Sequence, residues 1–138
     1  MSLKPLLLLV LAGFALPVLA VEPGAKIDSQ LEACQHQAQT TLDSQNCYLV
    51  ATRGWDAELN KQYQALLNGT PEAVGSALRD SQRQWLKYKN DYDAAINLFY
   101  QQQQGTIWGI IAAQSKMNVI KDKALDLYRL RTSTQLGE

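Results

Sequence analysis

The chain has one histidine, His36, and two cysteines, Cys34 and Cys47, among 138 residues. One imidazole excludes a histidine-rich metal centre, and two thiols without a second ligand pair do not make a zinc pattern. A nucleophile motif and a glycine-rich phosphate loop are also missing. The sequence therefore assigns no catalytic residue, no metal ligand and no cofactor, and it argues against an enzyme. Charge of one sign is absent as well: 13 Lys and Arg stand against 13 Asp and Glu, with no basic stripe. Nothing in that balance would draw a phosphate backbone, which excludes a nucleic-acid partner. His36, without partners of its own kind, reads as an exposed helix residue.

The long apolar run stands at the start. Lys4 precedes "PLLLLVLAGFAL", and "PVLA" sets Val18 and Ala20 just ahead of a cut before Val21. This is the layout of a secretory signal peptide, and the run is too short for a span, which needs about 20 apolar residues. The expected organisation is a signal at 1–20 and one helical domain at 21–138. No cysteine lies near the cut to carry a lipid, so no membrane attachment is expected after cleavage. Removing residues 1–20 takes Lys4 and no acid from the 13 and 13, leaving a formal charge of −1. Both cysteines lie in the exported part, where an oxidising compartment favours a Cys34–Cys47 disulfide. A bridge over so short a loop stabilises by about 3 kcal/mol in the chain-entropy description.

The mature chain reads as all-α, an antiparallel bundle of about four helices stapled by that disulfide. The first helix is expected to begin near Ser29, where "SQLE" has the form of a capping box, and to end by Thr41. The second is capped by Asp43 or Ser44 and stops at Asn68-Gly69. Cys47, Ala51, Trp55, Leu59, Tyr63 and Leu66 share its apolar face, and Gly54 is a weak point within it. "NGTPE" predicts a tight connection with Thr70 as cap and Pro71 in the first helical position. In the third helix Leu78, Ser81, Trp85, Tyr88, Tyr92, Ala95 and Phe99 alternate at spacings of four and three, until Gly105 breaks it. Trp85, Tyr88 and Tyr92 are expected in the core with hydroxyls at its rim. The fourth carries Ile110, Ala113, Met117, Ile120, Ala124 and Leu127 on one stripe. Trp108 lies off that stripe, which makes it an exposed candidate for a partner contact.

The stretch "WDAELNKQYQALL" holds two carboxylates, yet Asp56 and Glu58 sit about 200° apart around a helix. Bond cleavage by a carboxylate pair needs both on one bond. Glu58 is instead expected to pair with Lys61 or Gln62, and Asp56 with Asn60 or a neighbouring helix.

"DAELNKQYQALL" followed by "LRDSQRQWLKYKND" resembles the two-part signature of the LprI-type lysozyme-inhibitor family, small exported helical proteins. The first part falls on Asp56, Glu58, Leu59, Asn60 and Tyr63, the second on Leu78, Arg79, Gln82, Trp85 and Tyr88. Cys34 and Cys47 stand where that family has its first cysteine pair. The chain departs from the pattern at Lys89-Asn90, where the family carries Arg-Asp, and at Asp93 and Ser115, where it carries a second cysteine pair. Asn60, Tyr63, Gln82 and Trp85 are expected to pack or hydrogen-bond across the hairpin between the two parts.

The resemblance implies a protein of the periplasm or the secreted fraction that binds a lysozyme or another peptidoglycan-cleaving enzyme and occludes its cleft. Thr41 to Asn46 and Asn68 to Glu72 are the candidate loops for that task. The alternative is an envelope immunity or accessory protein that binds a secreted toxin. The near-neutral charge points to shape, more than electrostatic steering, as the source of affinity.

Overall fold

A computed structural model describes residues 21–135. The expected signal peptide at 1–20 lies outside the described residues. Four helices follow one another: α1, Ala25–Gln37; α2, Thr41–Asn68; α3, Glu72–Gln101; and α4, Ile107–Thr132. Among the described residues there is no strand, and Cys34 and Cys47 are joined, with Cα atoms 5.7 Å apart.

The helix ends follow local chemistry, although not always at the expected residue. α1 starts at Ala25, four residues before Ser29, behind a Gly24 held at φ 81°. The Ser29 hydroxyl donates to the Lys26 carbonyl at 3.3 Å inside the helix, so the "SQLE" box does not form. Tertiary contacts extend the helix backwards: Ile27 lies over Gly54, and Asp28 accepts from Lys121 at 2.8 and 2.9 Å. The chain leaves α1 at Gln37, within the expected limit of Thr41. Thr40 then caps α2, in place of Asp43 or Ser44. Its hydroxyl accepts from the Asp43 N–H at 3.0 Å, and the Asp43 carboxylate accepts from the N–H groups of Thr40 and Gln39. Asp43 is thus the third residue of a capping box rather than its cap.

The stop at Asn68-Gly69 falls where expected. Thr70 does not cap α3; its hydroxyl donates back to the Leu67 carbonyl at 3.1 Å, and Pro71 stands at the cap position itself. Its missing N–H costs nothing there, because that donor would lie outside the helix. Gly105, at φ 113°, turns the chain into α4.

Successive helices run antiparallel, which leaves α2 and α4 parallel to each other. Gln45 lies beside Gly109, Trp55 beneath Lys121 and Gln62 against Arg131, so both chains ascend together. These two helices share the main interface. Ala51, Trp55, Leu59 and Leu66 meet Met117, Ile120, Ala124 and Leu127 in one core cluster. Full burial of each large side chain contributes about 1.5–3 kcal/mol. Ala51 and Ala124 allow the backbones to approach, Ala124 being wholly inaccessible. α1 lies across α2, and the absence of a side chain at Gly54 admits Ile27, whose Cγ2 would be 3.2 Å from an added Cβ. The glycine that weakens α2 locally is the seat for α1.

α3 departs most from expectation. Gly75, Gln82 and Ile96 are its buried residues. Leu78 and Trp85 are half-buried against the core, whereas Ser81, Tyr88, Tyr92, Ala95 and Phe99 are exposed. Since α2 and α4 close on each other, α3 meets chiefly α4, along one edge. That contact covers a narrower arc than the apolar face of α3, and the predicted seam is left on its flank.

Candidate functional site

Asp56, Leu59, Asn60 and Tyr63 follow each other at helical spacings of three and four, so α2 presents them along one side. Across from them α3 presents Arg79, Gln82, Arg83, Trp85 and Leu86. Together with Gln64 they line an open crevice of about 330 Å³ between the two helices. Leu59, only 2% exposed, and Trp85 form its apolar base and continue into the core. Asp56, Asn60 and Arg83 are exposed at the rim, while Tyr63 and Arg79 are half-buried. Arg79 Nη2 donates to Glu72 Oε1 at 2.5 Å, and Arg83 pairs with Asp80. These solvent-facing pairs are worth little and can exchange for another anion.

Seven of the ten predicted motif residues meet here: Asp56, Leu59, Asn60, Tyr63, Arg79, Gln82 and Trp85. Three do not. Leu78 packs against the core. Tyr88 is exposed and stacks on Tyr92, with ring centroids 5.5 Å apart. Glu58 points to another side of α2, accepting from Gln62 Nε2 at 2.6 Å and lying 3.9 Å from Lys61. Asp56 and Glu58 therefore diverge, as their spacing requires. Asn60, Tyr63, Gln82 and Trp85, expected to meet across the hairpin, all line the crevice. No hydrogen bond joins them across it among the described residues.

Sequence reasoning missed the role of Arg131. Its Nε and Nη2 donate to Gln62 Oε1 at 3.2 and 3.0 Å, so a chain Glu58–Gln62–Arg131 ties α2 to the end of α4. Sixty-nine positions separate Gln62 from Arg131, and no local signal links them. Trp108, expected to be exposed, is half-buried: its ring lies 5.9 Å from that of Tyr100, and its Nε1 donates to the Gln104 carbonyl at 2.9 Å. It closes the turn from α3 into α4. Thr41–Asn46, expected to be a loop, is the helical start of α2, because the Thr40 box begins the helix there. Asn68–Glu72 does form the turn at the tip of the α2–α3 hairpin. His36 is exposed, with Glu32 at 3.7 Å.

Residues 32–127 match the family described as lysozyme inhibitor LprI, from within α1 to the last turns of α4. The chain belongs to the LprI lysozyme-inhibitor family. Both cysteines and both halves of the signature lie inside the LprI match. The family is described by inhibition rather than catalysis. Among curated proteins none matches in sequence. Among solved structures the LprI chain is similar to an uncharacterized protein from Burkholderia thailandensis, with a TM-score of 0.73 and 23% identity. The alignment covers 83% of this chain and 56% of that one, so this chain spans about half the length of that protein. At that identity the likeness concerns the fold alone. No helix among the described residues of this LprI chain is long and apolar enough to cross a membrane.

Proposed function

We propose that the protein is exported through the signal at 1–20 and, in the bacterial cell envelope, binds a lysozyme and occludes its cleft with the α2–α3 hairpin. The observation that carries this reading is the gathering of the family signature, from two separate helices, into one open crevice. A signature kept only for packing would be expected to lie in the core or to satisfy itself. The Asn68–Glu72 turn leads the approach, and the crevice behind it supplies Asn60, Arg79 and Arg83 as donors. Arginine suits the task, because its planar fork matches a carboxylate, and glycoside cleavage depends on a carboxylate pair. Near-neutral charge leaves shape and apolar contact at Trp85 and Tyr63 as the main sources of affinity.

Mature, oxidised protein should cause a stoichiometric loss of lytic activity at near-physiological salt when tested against chicken-type, goose-type and invertebrate-type lysozymes. The contact should bury roughly 1,200–2,000 Å² in total. Asn60→Arg and Arg79→Glu, both at accessible positions, should abolish inhibition while far-UV circular dichroism stays unchanged. If folded protein inhibits no class, the inhibitor reading ends, and an immunity or accessory role against a secreted toxin takes its place.

A further inference from the structure

α3 is the most strongly amphipathic of the four helices and yet buries few large apolar side chains. Its exposed flank runs through Ser81, Tyr88, Tyr92, Ala95 and Phe99, with Tyr88 56%, Tyr92 44% and Phe99 65% accessible. From Ser81 to Phe99 this stripe is about 27 Å long at 1.5 Å per residue. Its apolar part, Tyr88 to Phe99, spans about 16 Å, and an exposed apolar strip of this kind marks a contact surface. Most of the crevice residues of α3 lie on other sides of the helix, Arg79, Arg83 and Leu86 about 150° and Gln82 about 110° around from the stripe, while Trp85 stands at its edge, about 50° away, counting 100° per residue.

We infer that the stripe pairs with the same stripe of a second copy, α3 against α3 in antiparallel orientation, about a two-fold axis at the level of Asn90. The sequence of the stripe is self-complementary in that register and in no parallel one. Tyr88 meets Tyr92 of the second copy, and the two stacked pairs join into a cluster of four rings. Phe99 meets Ser81 of the second copy, large against small, at both ends. Lys87 and Asp91, which already pair within one chain at 2.7 Å, flank the stripe. Antiparallel pairing sets each Lys87 beside Asp91 of the second copy. A parallel pair would oppose Phe99 to Phe99 and leave a gap between the serines. Interfaces of this kind favour tyrosine anchors with depleted charge at the centre. One helix contact lies at the low end of specific interface size, so the dimer is reversible, with a micromolar dissociation constant.

Sedimentation of the mature, oxidised protein from low to several hundred micromolar should give a monomer–dimer equilibrium. Tyr92→Glu and Tyr88→Lys should each raise the dissociation constant about thirtyfold or more, with unchanged helical circular dichroism. A short bis-maleimide should link Ser81→Cys chains to Phe99→Cys chains in a mixture, and neither variant to itself. A monomer at every concentration, self-linking of Ser81→Cys, or a dimer indifferent to both tyrosine variants would each overturn the inference. So would a monomer whose lysozyme inhibition is lost in Tyr92→Glu, which would give the stripe to the enzyme.

Discussion

Replacing Cys34 and Cys47 together by alanine opens a cross-link of sequence separation 13. For a loop of that length the chain-entropy relation gives about 10 cal/mol/K, or about 3 kcal/mol at 25 °C. Unfolding entropy is about 2.1 cal/mol/K per residue, or about 0.24 kcal/mol/K for roughly 115 residues, so the melting temperature should fall by about 12 °C. Cys47 is 3% exposed, and the loss of its packed sulfur adds to that figure. The structure also says where the loss should appear. α1 has no buried residue and is 13 residues long, a length that is marginal for an isolated helix. Apart from the disulfide it is held by Ile27 over Gly54, by Leu31 against the core and by the Asp28–Lys121 pair. That pair is partly solvent-exposed and contributes little. Urea unfolding followed by circular dichroism measures the global term, and amide exchange measures the local one. In the variant, α1 amides should exchange well before those of α2 and α4. A loss below about 1 kcal/mol with α1 still protected would refute the claim that the bridge holds this helix.

Two further outcomes are expected. Gly24 and Gly105 both have positive φ, 81° and 113°, so alanine at either carries about 1–2 kcal/mol of backbone strain. At Gly24 the added Cβ would also lie 2.0 Å from Trp55 Cη2, while at Gly105 nothing stands within 4 Å. Gly24→Ala should therefore cost about 1–3 kcal/mol more than Gly105→Ala in urea unfolding, and equal costs would mean that Trp55 is not held in place. The Asp43 carboxyl titrates below its ordinary 3.8, chiefly through its hydrogen bond with Thr40 and then with the Gln39 N–H. A lowered folded value means stability present above pH 3.8 and lost as pH falls through that lower value. The melting-temperature advantage of the native protein over Asp43→Asn should thus be constant near neutrality and shrink in acid below pH 3.8. An advantage independent of pH would remove the carboxylate from the cap.

Much of the molecule is legible in local chemistry. The stop at Asn68-Gly69, the stripe from Ala113 to Leu127 in α4, and the divergence of Asp56 from Glu58 follow from turn preferences and the 3.6-residue period, whereas α3 ends at Gln101, four residues before the expected break at Gly105. The disulfide followed from compartment and cysteine count. What local chemistry cannot state is which of several apolar faces a neighbour covers. The seam of α3 is as regular as that of α4, yet one is exposed and the other buried, because α4 sets its seam against α2 whereas α3 meets α4 only along one edge. The same holds for α1, which starts behind Gly24 rather than at Ser29 because Ile27 and Asp28 find partners on α2 and α4. Gln62 and Arg131 are joined only by that packing. The signature could be read from the sequence, but its meeting in one crevice depended on how α3 turns toward α2. The turn itself is local, but the line along which α3 lies is shared with α4, whose residues stand outside the hairpin.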